Sequence, residues 1–237
     1  KYQWVARPLA LHGVVAKKDG SLVDVVIGED ADDPVVGVSD ILIHLAAEQM
    51  GKKASEAVTG ENLDVLLCGK PLTGEEKEPV KAMLLKILKE KYDLEEEDML
   101  SAEIEVVPAD KCRDFGLDRS MLLGYGHDDR VCSFASLEAI LRLPTVPDST
   151  CCCLLADKEE IGSVGATGMR AHYFENAMAE LLALTQPEYS ELALRRALAA
   201  CRMLSCDVSA GYDPLYASCF EKKNAAYLNY GIGLCKY

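Results

Sequence analysis

The sequence has no long apolar run, no excess of basic charge, no facing CxxC pairs and no repeated or low-complexity tract. Each absence removes a class of answer. A membrane span needs about 20 uninterrupted apolar residues, so no membrane partner is expected. Asp and Glu number 39 against 25 Lys and Arg, a formal net charge of −14. Nucleic-acid domains usually carry a basic face that releases counterions, so no nucleic-acid partner is expected either. The same field repels anions, and an acidic substrate must find a locally positive pocket. Ten cysteines are present, but Cys151, Cys152 and Cys153 are consecutive, and the spacings match neither a zinc finger nor a disulfide framework. No secretory signal opens the sequence, so the thiols are expected to be small buried hydrophobes in a reducing cytoplasm.

What is there supports a globular chain. At 237 residues and 49% hydrophobic content, it has room for one large domain or two small ones. Lys1-Tyr2-Gln3-Trp4 reads as mid-chain sequence and Lys236-Tyr237 is an abrupt end, so a central portion of a longer protein is expected. Residues 9–16 and 22–27 are apolar and β-branched around Asp19-Gly20, a strong hairpin signal. Ser39 and Asp40 before Ile41, Leu42 and Leu45, with Gly51 beyond, predict a capped helix with a glycine stop. Thr73 and Glu76 have capping-box spacing ahead of Val80, Met83, Leu84, Ile87 and Leu88 at helical period. The run Glu95 to Asp98 reads as a solvated connection, and Ala102, Ile104 and Val106 alternate as a strand closed by Pro108.

From about residue 113 the texture changes. Helices are predicted around Val131 to Leu141, over 171–184 and over 188–202, and buried strands over 151–156, 203–208 and 227–234. That alternation predicts an α/β layer with a mostly parallel sheet flanked by helices, preceded by a smaller β-rich α+β domain. The boundary is placed near residue 112, giving domains 1–112 and 113–237.

Open α/β sheets present functional groups at the carboxyl ends of their strands. Asp157-Lys158-Glu159-Glu160 follows one expected strand, Asp207 ends another, and Asp128-Asp129-Arg130 precedes a helix. Converging carboxylates repel unless cations neutralise them, and a divalent metal does so most economically. Zinc accepts carboxylate oxygen, and a glutamate beside a ligand serves as base on metal-activated water. Glu159 next to Glu160 fits that division of labour; a helix N-terminal charge effect is the plain alternative. Gly162 to Gly168 is glycine-rich after a strand but lacks the Lys-Ser or Lys-Thr of a phosphate loop.

The strings GYGHDDRVCSFASLEA (124–139), DKEEIGSVGATGM (157–169) and MLSCDVSAGYDP (203–214) resemble the aspartyl aminopeptidase family of cytoplasmic dinuclear zinc peptidases. HGVVAKKDGSLVDVVIGED (12–30) resembles that family's inserted dimerisation domain. The resemblance runs end to end and implies release of N-terminal Asp or Glu from peptides by zinc-activated water. It implies two zinc ions, or other divalent ions, with Asp129 bridging, Glu160 holding one, Asp207 the other, and Glu159 as base. It also implies a homo-oligomer built from dimers, a dodecamer.

The family takes two further ligand histidines from segments before the dimerisation domain and near the C-terminus, and none of the four histidines here stands in either place. His127 adjoins the expected bridge and reads as a supporting or surface residue. His44, in the IHLA segment, resembles a helix histidine that reaches a neighbouring subunit's active site; packing at an interface is its plain alternative. Lys236 follows the strand expected over 227–234, and GLCKY resembles the segment that supplies a substrate-contacting lysine, a cation suited to an acidic side chain. Two other functions stand beside this one: a related dinuclear zinc peptidase or deacylase of different specificity, and a non-catalytic oligomerisation scaffold.

Overall fold

The computed structural model describes residues 4–235, so Lys236 lies outside the described residues. The chain divides into two compact units, Lys1–Tyr125 and Gly126–Tyr237.

In the first unit, β1 (Leu9–Ala16) and β2 (Leu22–Ile27) form the hairpin that Asp19-Gly20 predicts. Asp19 Oδ1 accepts from the Ser21 N–H at 2.9 Å, and Gly20 takes φ +87°, which only glycine adopts freely. β3 (Ala102–Pro108) pairs antiparallel on the other side of β1, with Gly13 opposite Ile104. The order is β2-β1-β3. Alternation sends Val15 and Val25 to one face, where they bury with Leu94 and pack on Leu88, Tyr92 and Ile104. Leu88 and Tyr92 come from α2 (Pro79–Tyr92), and the Tyr92 hydroxyl donates to the Val26 carbonyl at 2.9 Å. Asp93, at φ +53°, ends α2 and turns Leu94 into the core. The short strands β4 (Arg113–Phe115) and β5 (Met121–Leu123) pair antiparallel beyond.

The second unit holds α3 (His127–Leu141), α4 (Tyr173–Thr185) and α5 (Glu191–Ala200) where the periodicity predicts helices. Ser190 caps α5, its side chain accepting from the Ala193 N–H at 3.1 Å.

Five expectations need correction. The mostly parallel sheet is not formed: both sheets among the described residues are antiparallel and lie in the first unit. Residues 151–156, 203–208 and 227–234 carry no strand, and Gly211–Ala226 is a single parallel bridge. A strand buried on both faces exists only with neighbours to take its backbone hydrogen bonds; without them Leu155, Leu204 and Leu234 are exposed. What holds of the fold class is the mixture of helix and sheet.

The helix expected from Ser39 to Gly51 shrinks to a 3₁₀ turn, Ile43–Leu45, and the four-residue α1 (Ala47–Met50). Neither start has a side-chain cap; Asp40 instead accepts from the adjacent Ile41 N–H, a local bond that competes with helix. Thr73 and Glu76 do not cap α2, which begins at Pro79 with its preset φ after Glu78 in the left-handed region. The capping box forms at Glu95 and Asp98, in the segment that reads as mere connection, and starts the 3₁₀ helix Glu96–Ser101. Finally, the ten cysteines are free but not buried: seven are exposed, and Cys68, Cys132 and Cys153 are half-buried. Three of the exposed thiols, Cys151, Cys152 and Cys206, sit on the unpaired runs.

Candidate metal centre

Asp128, Asp129 and Asp207 each offer a carboxylate oxygen, and the three oxygens lie within 4.8 Å of one another. Two come from the start of α3. Gly126 at φ +77° precedes the helix, and Asp128 and Asp129 keep non-helical dihedrals inside its first turn, with a cis peptide bond between them. The third ends the run 203–207, where the Val208 N–H donates to Asp207 Oδ1 at 2.7 Å.

Asp129 is the best sheltered of the three. Ser133, one turn along α3, has its hydroxyl 3.5 Å from Oδ2, while Oδ1 is buried without a hydrogen-bond partner. A buried anionic oxygen without a donor is costly, and in a cluster of like charges a cation is the partner that relieves both penalties. The donor set is all oxygen, which suits zinc, magnesium or manganese. Cys132 stands beside the cluster; burial pushes its thiol up, and its bond to Asp129 pushes it further.

Glu159 and Glu160 occupy a separate short 3₁₀ turn, Glu159–Ile161, between left-handed Lys158 and Gly162. Both are exposed, and Glu160 is not among the three clustered carboxylates. The turn belongs to a loop drawn closed at its base, where Thr167 Oγ1 and Lys158 Nζ each donate to Asp157 Oδ2 at 3.0 Å. Those two donors, Lys158 before Thr167, hold the Asp157 carboxyl below its usual range. The residues of GSVGATG build this loop, and Gly168 is buried so tightly that a Cβ would stand 2.3 Å from the Ser163 carbonyl oxygen.

His44 is exposed on the turn of the first unit. His127 is exposed at the head of α3. Asp128 and Ser133 are the residues the pattern undervalues. The signals for them are the doubled aspartate and the spacing of four along a helix.

All 237 residues match the profile of the aminopeptidase I zinc metalloprotease family, M18. The chain belongs to that family. A probable M18 family aminopeptidase 1 of Clostridium acetobutylicum is 56% identical over 238 residues, covering 100% of this chain and 51% of the relative. The crystal structure of aminopeptidase I from the same organism superposes with a TM-score of 0.83 at 54% identity, over 96% of this chain and 49% of that one. The Saccharomyces cerevisiae mApe1 dodecamer shares the M18 fold at a TM-score of 0.64 and 18% identity, over 97% of this chain and 50% of that one. The chain spans about half the length of the M18 relatives it matches.

Proposed function

We propose that the chain serves a metal-dependent aminopeptidase that releases N-terminal Asp or Glu from peptides by zinc-activated water. The observation that carries the proposal is the convergence of Asp128, Asp129 and Asp207 around a buried oxygen that has no donor, in a member of a zinc metalloprotease family. Asp129 would be shared by two ions, with Asp207 and Glu160 each holding one. Bound zinc supplies a Lewis acid and lowers the pKa of its water. Glu159 would be the proton acceptor and donor of the site. Lys236 pairs with the acidic side chain of the substrate, which explains how a chain of charge −14 accepts an anion.

Residues 1–112 are a dimerisation domain, and 113–237 form part of the catalytic domain. Ile41, Leu42, Ile43 and Leu45 are exposed together, an apolar segment that a neighbouring subunit covers in a dimer-based dodecamer. His44 in their midst then reaches the neighbour's active site. No helix of the described residues is long and apolar enough to cross a membrane. The family resemblance, and not that absence, is the ground for taking the cytoplasm as the working compartment.

The test uses the full-length protein, its metal content, and peptides beginning with Asp, Glu or Ala. Asp129→Ala is expected to lower occupancy at both ions, while Glu160→Ala and Asp207→Ala each empty mainly one. Lys236→Met is expected to weaken kcat/KM on acidic peptides by about 1 to 3 kcal/mol more than on Ala peptides. Equal loss of metal in all three carboxylate variants refutes the bridge, and equal loss on acidic and neutral peptides moves the specificity elsewhere.

A further inference from the structure

Glu159 and Glu160 have little of their own to hold them in place. Their turn has three residues, no side-chain cap and no buried side chain. A group that must meet a metal or a water within about half an ångström needs support from neighbours whose own positions are locked.

The structure places that support at the two ends of the loop. The Asp157 N–H donates to the Thr167 carbonyl at 3.2 Å, and the Thr167 hydroxyl returns a bond to Asp157 Oδ2 at 3.0 Å. A main-chain bond and a side-chain bond thus tie the same two residues together. Lys158 Nζ donates to the same Oδ2, and its stem runs so close to Gly165 that a Cβ there would touch it at 3.5 Å. Inside the closed loop the Ser163 N–H donates to the Lys158 carbonyl at 2.9 Å and the Gly162 N–H to the Glu159 carbonyl at 2.9 Å. The Arg170 N–H donates to the Ser163 carbonyl at 3.2 Å, over the buried Gly168. The two glutamates therefore project from a short ring whose closure depends on residue 157 meeting residue 167.

We infer that Asp157 and Thr167 form a clasp that positions Glu159 and Glu160, Asp157 and Thr167 acting as positioning residues rather than touching metal or substrate. The inference rests on the function proposed above. Thr167 is the cleaner half to probe, because valine keeps its shape and removes only the hydroxyl, while serine keeps the hydroxyl and loses a methyl.

In the full-length protein, Thr167→Val is expected to weaken zinc retention, measured by titration with a competing chelator, by about 10-fold or more, the usual cost of losing a partner that orients a ligand. kcat is expected to fall about 10-fold with KM within about twofold, because the reacting groups move and the substrate's anchors do not. Amide exchange at Gly162 and Ser163 is expected to accelerate with an unchanged unfolding midpoint. Thr167→Ser is expected to restore all three readings to within about twofold. Should Thr167→Val unfold the protein, Asp157→Asn, which keeps one acceptor oxygen for Thr167 and drops the charge facing Lys158, carries the same chelator and exchange measurements. A wild-type protein that holds zinc beside a Thr167→Val variant with the same affinity and the same exchange overturns the clasp alone. A folded wild-type protein that retains no divalent metal overturns the proposed function and, with it, the purpose of the clasp.

Discussion

The two units bury their apolar residues very differently. The first assembles a sheet, a helix and a core around Val15, Val25 and Leu94, whereas Leu194 is the only fully buried apolar side chain described in the second. Yet the second carries the carboxylate cluster and the DKEE loop. The difference lies in where backbone partners come from. β1 finds β2 across a five-residue connection, 17–21, and β3 by a longer return, both within its own unit. The runs 151–156, 203–208 and 227–234 are also rich in apolar residues but find no partner strand among the described residues, and Leu204 stands 91% and Leu234 94% exposed. Apolar character makes a segment fit for a buried strand; only a neighbouring backbone makes it one.

The sharpest way to break the comparison is to separate chemistry from folding in the second unit. Glu159 is exposed and supports no core, so Glu159→Gln in the full-length protein is expected to cut turnover by about 100-fold or more while metal content and unfolding midpoint stay near wild type. A variant that keeps more than half its activity removes Glu159 from the reaction. A loss matched by a falling midpoint would give the loop a structural role that its exposure does not show.

Next in size is a matched pair of leucines. Leu94 is 1% exposed in the first core, and Leu94→Ala is expected to cost about 2 to 5 kcal/mol in denaturant unfolding. Leu204 touches no core here, and Leu204→Ala in this chain is expected to stay within about 0.5 kcal/mol. Similar costs for the two would mean that 203–208 packs as a strand after all, and the contrast between the units would fall.

The elements that were legible in the sequence are those whose determinants are local. The hairpin is written in Asp19-Gly20 and the alternation around it, β3 in Ala102, Ile104 and Val106, and α3 to α5 in helical spacing. What was not legible depends on competition or on distant partners. Ser39 and Asp40 announce a helix start, but Asp40 bonds its neighbour's N–H and the helix shrinks to Ala47–Met50. Glu95 and Asp98 look like solvated charge and instead bond each other's backbone. For the site, the sequence groups Asp129, Glu160 and Asp207, whereas the structure brings Asp129 and Asp207 together with Asp128 and leaves Glu160 on its own turn; the strand end expected at Asp207 is not formed, and Asp128 is visible as a donor only from the positions of the oxygens. The clasp between Asp157 and Thr167 joins residues ten apart through a loop with four left-handed positions, Lys158, Gly162, Ser163 and Gly165, a path no periodicity encodes.

A smaller effect tests how tightly the first unit is built. Gly13 faces β3 so closely that a Cβ would stand 2.1 Å from the Glu103 carbonyl oxygen. Gly13→Ala must push two paired strands apart and is expected to cost about 1 to 3 kcal/mol. A neutral result would show that β1 and β3 can separate without loss, which the register through Leu9 and Pro108 argues against.

The smallest effect sharpens the comparison at the surface. Asp93 ends α2 in the left-handed region, and its carboxylate accepts from Lys17 and pairs with Lys89 at 2.6 Å. Lys89 first and Lys17 second lower its pKa from 3.8 to about 2. Because the folded-state value is the lower one, the folded protein binds this proton less readily than the unfolded chain. The pair's stabilisation is therefore fully present above about pH 4 and is lost as pH falls toward 2. The groups are solvent-exposed, so salt screens them and the effect is small. Asn tolerates the left-handed backbone, so Asp93→Asn removes the charge without disturbing the chain reversal that delivers Leu94 to the core. The variant is expected to unfold at a slightly lower temperature than wild type at pH 7, to converge with it by about pH 2, and to lose part of the difference in 1 M salt. A gap that persists at low pH would show that Asp93 holds the end of α2 by its backbone geometry rather than by its charge. The stability of the first unit would then rest on its core and its turn alone.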